Sequence, residues 1–275
     1  MSRPSPTVSV MMDAARAAGR RLIRDFGEVE NLQVSRKGPA DFVSAADKKA
    51  EEIILKSLQK TRPGYGYLME EAGEVVGTDK THRFVVDPLD GTLNFLHGIP
   101  HFAVSIALER EGKLRAGVIF DPMRNETFWA EAGEGAWLEN KRLRVGARRK
   151  LNEAVITTGI PQLGVNGAEL FLDELTRVRQ EVAAVRRFGS AALDLAWVAA
   201  GRFDGFWERK LSPWDIAAGF LIVQEAGGVV TGLGKFDPMK GDFVAANTSL
   251  APKLADVIEG KLKKPAPSHP KLRPA

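Results

Sequence analysis

The 275-residue chain contains no cysteine. That excludes disulfides, thiolate metal sites and a cysteine nucleophile, and it fits a cytoplasmic protein. Histidine is scarce too: His82, His97, His101 and His269 fall at no metal-ligand spacing and support no Ser-His-Asp triad. His97 and His101 read as surface or packing residues. No apolar run approaches the roughly 18 residues needed to cross a bilayer. The N-terminus, Met1-Ser2-Arg3-Pro4-Ser5-Pro6, lacks the apolar core of a secretory signal. There is no internal repeat, and low complexity is confined to the C-terminal end.

Hydrophobic residues make up 44% of the chain and charged ones 27%, as in an ordinary globular protein. The net charge is +4 and the pI about 9.3, values that raise a nucleic-acid partner as a possibility. The last fifteen residues, Lys261 to Ala275, carry five Lys or Arg and no acid, so without them the net charge falls from +4 to −1. With Pro265, Pro267, Pro270 and Pro274 in it, this tail reads as a disordered extension. A second basic run, Lys141 to Lys150, reads as a hairpin or junction. Neither run is interleaved with stacking aromatics, so both are read as solvated surface and nucleic acid is not expected as the primary partner.

What the chain does have is Phe84-Val85-Val86-Asp87-Pro88-Leu89-Asp90-Gly91-Thr92-Leu93-Asn94-Phe95. A short apolar strand ends in two carboxylates three residues apart, and Pro88 is expected to stop the ladder there. Gly91 permits a sharp turn or close backbone approach. Two carboxylates on one turn repel each other unless a cation lies between them, and a hard divalent cation wants such oxygens. Alone, the segment would pass for an ordinary turn. Three further acidic clusters stand at element boundaries: Asp41-Phe42-Val43-Ser44-Ala45-Ala46-Asp47, Glu70-Glu71 and Trp214-Asp215. Solvated surface does not explain all four.

Together with Gly189-Ser190-Ala191-Ala192 and Glu225-Ala226-Gly227-Gly228, and with Trp214-Asp215 continuing as Ile216-Ala217-Ala218-Gly219, these segments closely resemble the inositol monophosphatase family, in its order, from about Lys37 to Asn247. The resemblance implies a mixed α and β fold, an αβαβα five-layer sandwich of the sugar-phosphatase type. It implies a Mg2+-dependent hydrolysis of inositol 1-phosphate by direct water attack, inhibited by lithium, with two to three Mg2+ per site and a homodimer. By the same resemblance one metal binds Glu70, Asp87 and the Leu89 carbonyl. A second binds Asp87, Asp90 and Asp215, and a third uses Glu70 through water. Asp47 and Thr92 match the pair that orients and deprotonates the water. Asp90, Gly91, Thr92, Gly189, Ser190, Ala191, Glu208 and Asp215 line the substrate, with Glu208 accepting from its hydroxyls.

Simpler readings exist for several of these. Asp47 and Asp215 would be favourable in a first helical turn anyway, and the small residues of 189–191 suit close helix packing. Two departures from the family pattern stand out. Arg209 and Lys210 follow Glu208 where animal relatives carry small or apolar residues, and Ala72 stands where a serine is common. If either cation turns inward, a more anionic substrate is accommodated. The same chemistry on histidinol phosphate, fructose 1,6-bisphosphate or 3′-phosphoadenosine 5′-phosphate therefore stays open, with Ile160 to Gly167 and Glu208 to Lys210 as the deciding segments. A regulatory or RNA-associated role on the same fold is the alternative from another class.

Periodicity supplies the frame. Val8, Met11, Ala15, Ala18, Leu22, Ile23 and Phe26 predict an amphipathic helix ending near Gly27, and Ser44 stands as an N-cap before the stripe Ala46, Ala50, Ile53, Ile54 and Leu58. Strands are expected at Arg83–Val86, Ala103–Leu108, Ala116–Phe120 and Thr127–Ala130, the last three as an antiparallel meander. From Ala154 strands and helices alternate. The expected division is residues 1–145 as an α+β half with most metal ligands, 146–260 as an α/β half with Asp215 and the substrate loop, and 261–275 as the tail.

Overall fold

The computed structural model describes residues 3–28, 34–36, 42–161, 166–234 and 237–261. Asp41, residues 162–165 of the specificity segment and residues 262–275 of the basic tail lie outside them. The first apolar stripe forms helix α1 (Pro6–Phe26). Ser5 caps it by accepting the Val8 amide at 3.3 Å, Pro6 opens it and Gly27 ends it. Strands β1 (Val34–Arg36) and β2 (Phe42–Ser44) pair antiparallel and lead into α2 (Ala45–Thr61), which buries Ala46, Ala50, Ile54 and Leu58 as the spacing requires.

The larger sheet follows: β3 (Gly66–Met69), β4 (Gly73–Val75), β5 (His82–Asp90), then after helix α3 (Thr92–Leu96) β6 (Ala103–Arg110), β7 (Lys113–Asp121), β8 (Glu126–Glu131), β9 (Gly135–Leu138) and β10 (Lys141–Arg142). Among the described residues its order is β10-β9-β8-β7-β6-β5-β3-β4. The meander is there, but the sheet is not wholly antiparallel. The β3–β4 hairpin and the loop after it return the chain so that β5 runs parallel to β3. Nor does Pro88 end the ladder. Pairing with β6 resumes at Asp90–Ala103 after a register shift from Asp87–Ser105, so the strand bulges between its two carboxylates.

The second sheet holds β11 (Val155–Thr158), then after α4 (Ala168–Glu181) β12 (Ala184–Arg186), after α5 (Ala191–Ala199) β13 (Gly205–Glu208), and after α6 (Pro213–Glu225) β14 (Gly228–Gly232) and β15 (Phe243–Asn247). Helix α7 (Ala251–Ile258) closes the described chain. The order is β12-β11-β13-β15-β14, parallel across the first three and antiparallel beyond.

Both faces of both sheets are covered, because successive residues of a strand point to opposite sides. Phe84 and Val86 pack under α1 and α2, while Val85 between them faces α5 and α6. Those two helices bury their other side on Phe206, Phe243 and Ala245 of the second sheet. Its outer face, with Ile156, Trp207 and Val244, packs on Phe171 and Val178 of α4 and Leu254 and Val257 of α7. The layers read α, β, α, β, α.

The small residues after Asp215 let this middle layer close. A Cβ on Gly117 of β7 would meet the Ala218 carbonyl oxygen at 2.8 Å, and one on Gly219 would meet the Leu195 Cβ at 2.6 Å. Helix α6 therefore lies directly on β7 and on α5, and its first turn is fixed beside the bulge of β5.

Candidate active site

The acidic segments that lie far apart in sequence converge where strands of both sheets end and helices of the middle layer begin. Asp87, Leu89 and Asp90 come from the bulge of β5, Glu70 from the turn after β3, and Asp215 from the first turn of α6. Ligand oxygens of Asp87, Asp90 and Asp215 all lie within 4.8 Å of one another. Asp87 is buried, and Asp90 and Asp215 are partly so.

Each carboxylate is held by backbone. Asp87 accepts the Leu89 amide at 2.9 Å and Asp215 the Ser212 amide at 2.7 Å. Asp90 accepts the Ala192 amide at 2.8 Å, the Ala191 amide at 3.3 Å and the Ser190 hydroxyl, all at the start of α5. The turn after β3 is held by Glu51 of α2, which accepts the Glu71 amide at 2.9 Å and the Ala72 amide at 3.0 Å. No motif or spacing pointed to Glu51 beforehand. Since position 72 contributes its amide there, an alanine keeps that bond.

Burial drives the electrostatics. It raises Asp87 well above the usual carboxylate range, with Glu70, Asp90, Asp215 and Asp47 adding like-charge repulsion. Asp215 is raised by burial and by Asp90, and Asp90 is pushed up to about 6 by burial against the three donors of α5. Such a pile of buried carboxylates is stable as anions only around a counter-ion. Its all-oxygen donor set fits a hard divalent cation of the Mg2+ class.

Asp47 is buried in the first turn of α2, near enough for Asp87 to feel its charge. The Thr92 hydroxyl donates to the Leu89 carbonyl at 2.9 Å. Gly91, at φ 94, sits in the left-handed region, and a Cβ there would meet the His101 carbonyl oxygen at 3.1 Å and the Gly189 carbonyl oxygen at 3.2 Å. Asn94, named in the motif but given no role, is buried and donates to the His101 carbonyl at 2.8 Å and the Phe188 carbonyl at 2.7 Å. It thus ties the segment after the bulge to the turn ahead of Ser190. His97 is exposed, while His101 is buried against Phe188 and Trp197, and burial with nearby Arg124 lowers its pKa to about 4.

The hollow above the cluster has two lobes. The first, about 220 Å3, is lined by the three aspartates, Gly189 to Ala191 and Glu208, and also by Arg187, Asp194 and Gly159, which sequence reasoning missed. Glu208 packs on the bare Gly159, where a Cβ would stand 1.8 Å from its Oε1. Burial, with Asp194 and Asp90 nearby, pushes Glu208 up to about 8. Asp194 accepts from the Thr157 hydroxyl at 3.0 Å. An acid inside the otherwise apolar α5 was its only sequence signal.

The second lobe, about 360 Å3, opens past Glu208 toward Phe171 and Lys210. Arg209 does not enter the first lobe. Its guanidinium donates to Glu174 at 2.7 Å and to Asp242 at 2.9 Å.

The sequence model of the inositol monophosphatase family matches residues 3–263. An inositol-1-monophosphatase of Rhizobium meliloti is 56% identical over 96% of this chain and 98% of its own. A protein of Escherichia coli named Nus factor SuhB is 43% identical over 88% and 91%. The crystal structure of the extragenic suppressor protein suhB of Bartonella henselae superposes with a TM-score of 0.91 at 56% identity, over 94% of this chain and all of that one. This carboxylate-lined αβαβα sandwich belongs to a family of phosphatases. The chain is a member of the inositol monophosphatase family.

Proposed function

We propose that the chain is a Mg2+-dependent, lithium-sensitive phosphomonoesterase that hydrolyses inositol 1-phosphate to inositol and phosphate. The convergence of Asp87, Asp90 and Asp215 within 4.8 Å carries the reading. Glu70, Asp87, the Leu89 carbonyl, Asp90 and Asp215 would hold two to three cations, which supply a water of lowered pKa and neutralise charge on the phosphate. Asp47 and Thr92 would orient that water and accept its proton, the Thr92 hydroxyl being held in this structure by the Leu89 carbonyl. Ser190 and the amides of α5 fix Asp90. Gly91 and Gly189 keep the backbone close beneath the substrate, and Ala191 leaves room for the ring. Glu208 accepts from the ring hydroxyls, and Gly159 sets how deep its carboxylate lies.

The division into halves near residue 145, the homodimer and a cytoplasmic location belong to the same proposal. Among the described residues no helix is long and apolar enough to cross a membrane. Phosphate release from inositol 1-phosphate, histidinol phosphate, fructose 1,6-bisphosphate and 3′-phosphoadenosine 5′-phosphate, with Mg2+ and with or without lithium, tests it. Preference for inositol 1-phosphate, lost with lithium, is expected. Preference for another ester keeps the chemistry and moves the substrate.

The relative named Nus factor SuhB supports a second reading, a regulatory, RNA-associated role on the same fold. Salt-dependent RNA binding that vanishes on deleting Lys261 to Ala275 would favour it; silence across the ester panel would make it primary.

A further inference from the structure

The proposed reaction uses only the first lobe, where the cluster, Ser190 and Glu208 lie. The second lobe is the larger, and it continues from the first past Glu70, Glu208, Leu211 and Asp215. Its own wall carries the apolar Leu170, Phe171 and Trp214, so a polyol ring gains little by entering it.

Two basic side chains reach this lobe in different states. Arg209 is neutralised by Glu174 and Asp242. Lys210 is not: among the described residues its ammonium meets only the Asn166 carbonyl oxygen. Its backbone stands at φ 61, a left-handed conformation that disfavours a residue with a Cβ. Asp242 holds it there by accepting the Lys210 amide at 2.9 Å. The first lobe's cation, Arg187, lies close enough to Asp194 and Glu208 for both carboxyls to feel its charge. Among the described residues lining the second lobe, Lys210 is thus the cation with no carboxylate in its hydrogen bonds or ion pairs, and it lines only this lobe.

We propose that the second lobe is a subsite for a second acidic group on the substrate. It takes phosphomonoesters whose alcohol carries a further phosphate or carboxylate, with the Lys210 ammonium as counter-ion. An ammonium is a point charge that asks for no fixed geometry, so either group serves. The proposal rests on the phosphomonoesterase reading of the first lobe.

Fructose 1-phosphate and fructose 1,6-bisphosphate differ only in the second phosphate and make the test. In the wild type the bisphosphate has the lower KM, and the advantage shrinks as salt is raised. In Lys210→Gln the ratio of the two KM values moves about fivefold against the bisphosphate, the size of one part-exposed ion pair. Lys210→Gly, which also relieves the left-handed backbone, gives the same ratio and guards against a folding artefact. Calorimetry on the same pair reads binding without turnover.

An unchanged ratio in both variants overturns the subsite. So does a loss seen in Arg187→Gln and not in Lys210→Gln, which places the second phosphate in the first lobe. No hydrolysis of any ester, with Lys210-dependent binding intact in calorimetry, retains the subsite and removes the phosphatase reading.

Discussion

Along one wall of the first lobe, Asp87, Asp90 and Asp215 bring three carboxylates within 4.8 Å, each oriented by backbone amides. Along the other, Glu208 lies against the bare Gly159, and Ser190 opens α5. The first wall is ruled by charge: its members repel, and burial keeps water from screening that repulsion. The second is ruled by space, since the Glu208 carboxylate fills the room that the bare Gly159 leaves. A change of charge should therefore damage the first wall most, and a change of one methyl group the second.

The largest effect is expected from Asp215→Asn, which removes a charge and keeps an oxygen to accept the Ser212 amide. Turnover of inositol 1-phosphate should fall ~1000-fold or more, about 4 kcal/mol at 1.36 kcal/mol per decade. Circular dichroism should be unchanged. Full activity in this variant and in Asp90→Asn would remove the cluster from the chemistry and break the comparison at its stronger side.

Gly159→Ala is the complementary change. Its Cβ would overlap the Glu208 carboxylate, which must swing away from the ring hydroxyls. KM for inositol 1-phosphate should rise about tenfold, the size of one hydrogen bond, with a smaller change in kcat. Steady-state kinetics separate the two walls: an effect on kcat alone would mean that Glu208 does not meet the substrate.

The smallest effect sharpens the electrostatic side. Asp90, pushed up to about 6, and Glu208, pushed up to about 8, keep protons in the folded chain where unfolded carboxyls have already released theirs. Between the unfolded value of about 4 and those folded values the native state binds more protons, so stability falls as pH rises. With the cation stripped by EDTA, Tm should drop by a few degrees between about pH 5 and 8. Mg2+ should flatten the drop by binding the ionised form. A Tm rising with pH in EDTA would show that the cluster is already compensated by the protein.

Much of this could be read beforehand where the signal was local. Asp87 and Asp90 announced themselves because an apolar strand, a proline and a glycine surround them within a dozen residues. Asp215 did so because a long apolar helix follows it. Strand β12 went unseen because three residues, Ala184–Arg186, carry too little periodicity to register. The strand through Pro88 was read as ending because a proline removes one donor, yet the bulge carries the ladder past it to Asp90. Glu51, Asp194 and Gly159 were invisible for another reason: each matters through a residue 20 to 49 positions away.

The sequence by itself determined which acidic residues stand at element boundaries, their order and the helices and strands on which they ride, since these follow from residue chemistry and short-range periodicity. Only the tertiary structure decided that Arg209 turns to Glu174 and Asp242 while the Lys210 ammonium meets the Asn166 carbonyl at the second lobe. Adjacent residues of one strand end have no local preference between those fates. The choice was made by Asp242, 32 residues further along, which accepts the Lys210 amide and holds that backbone left-handed.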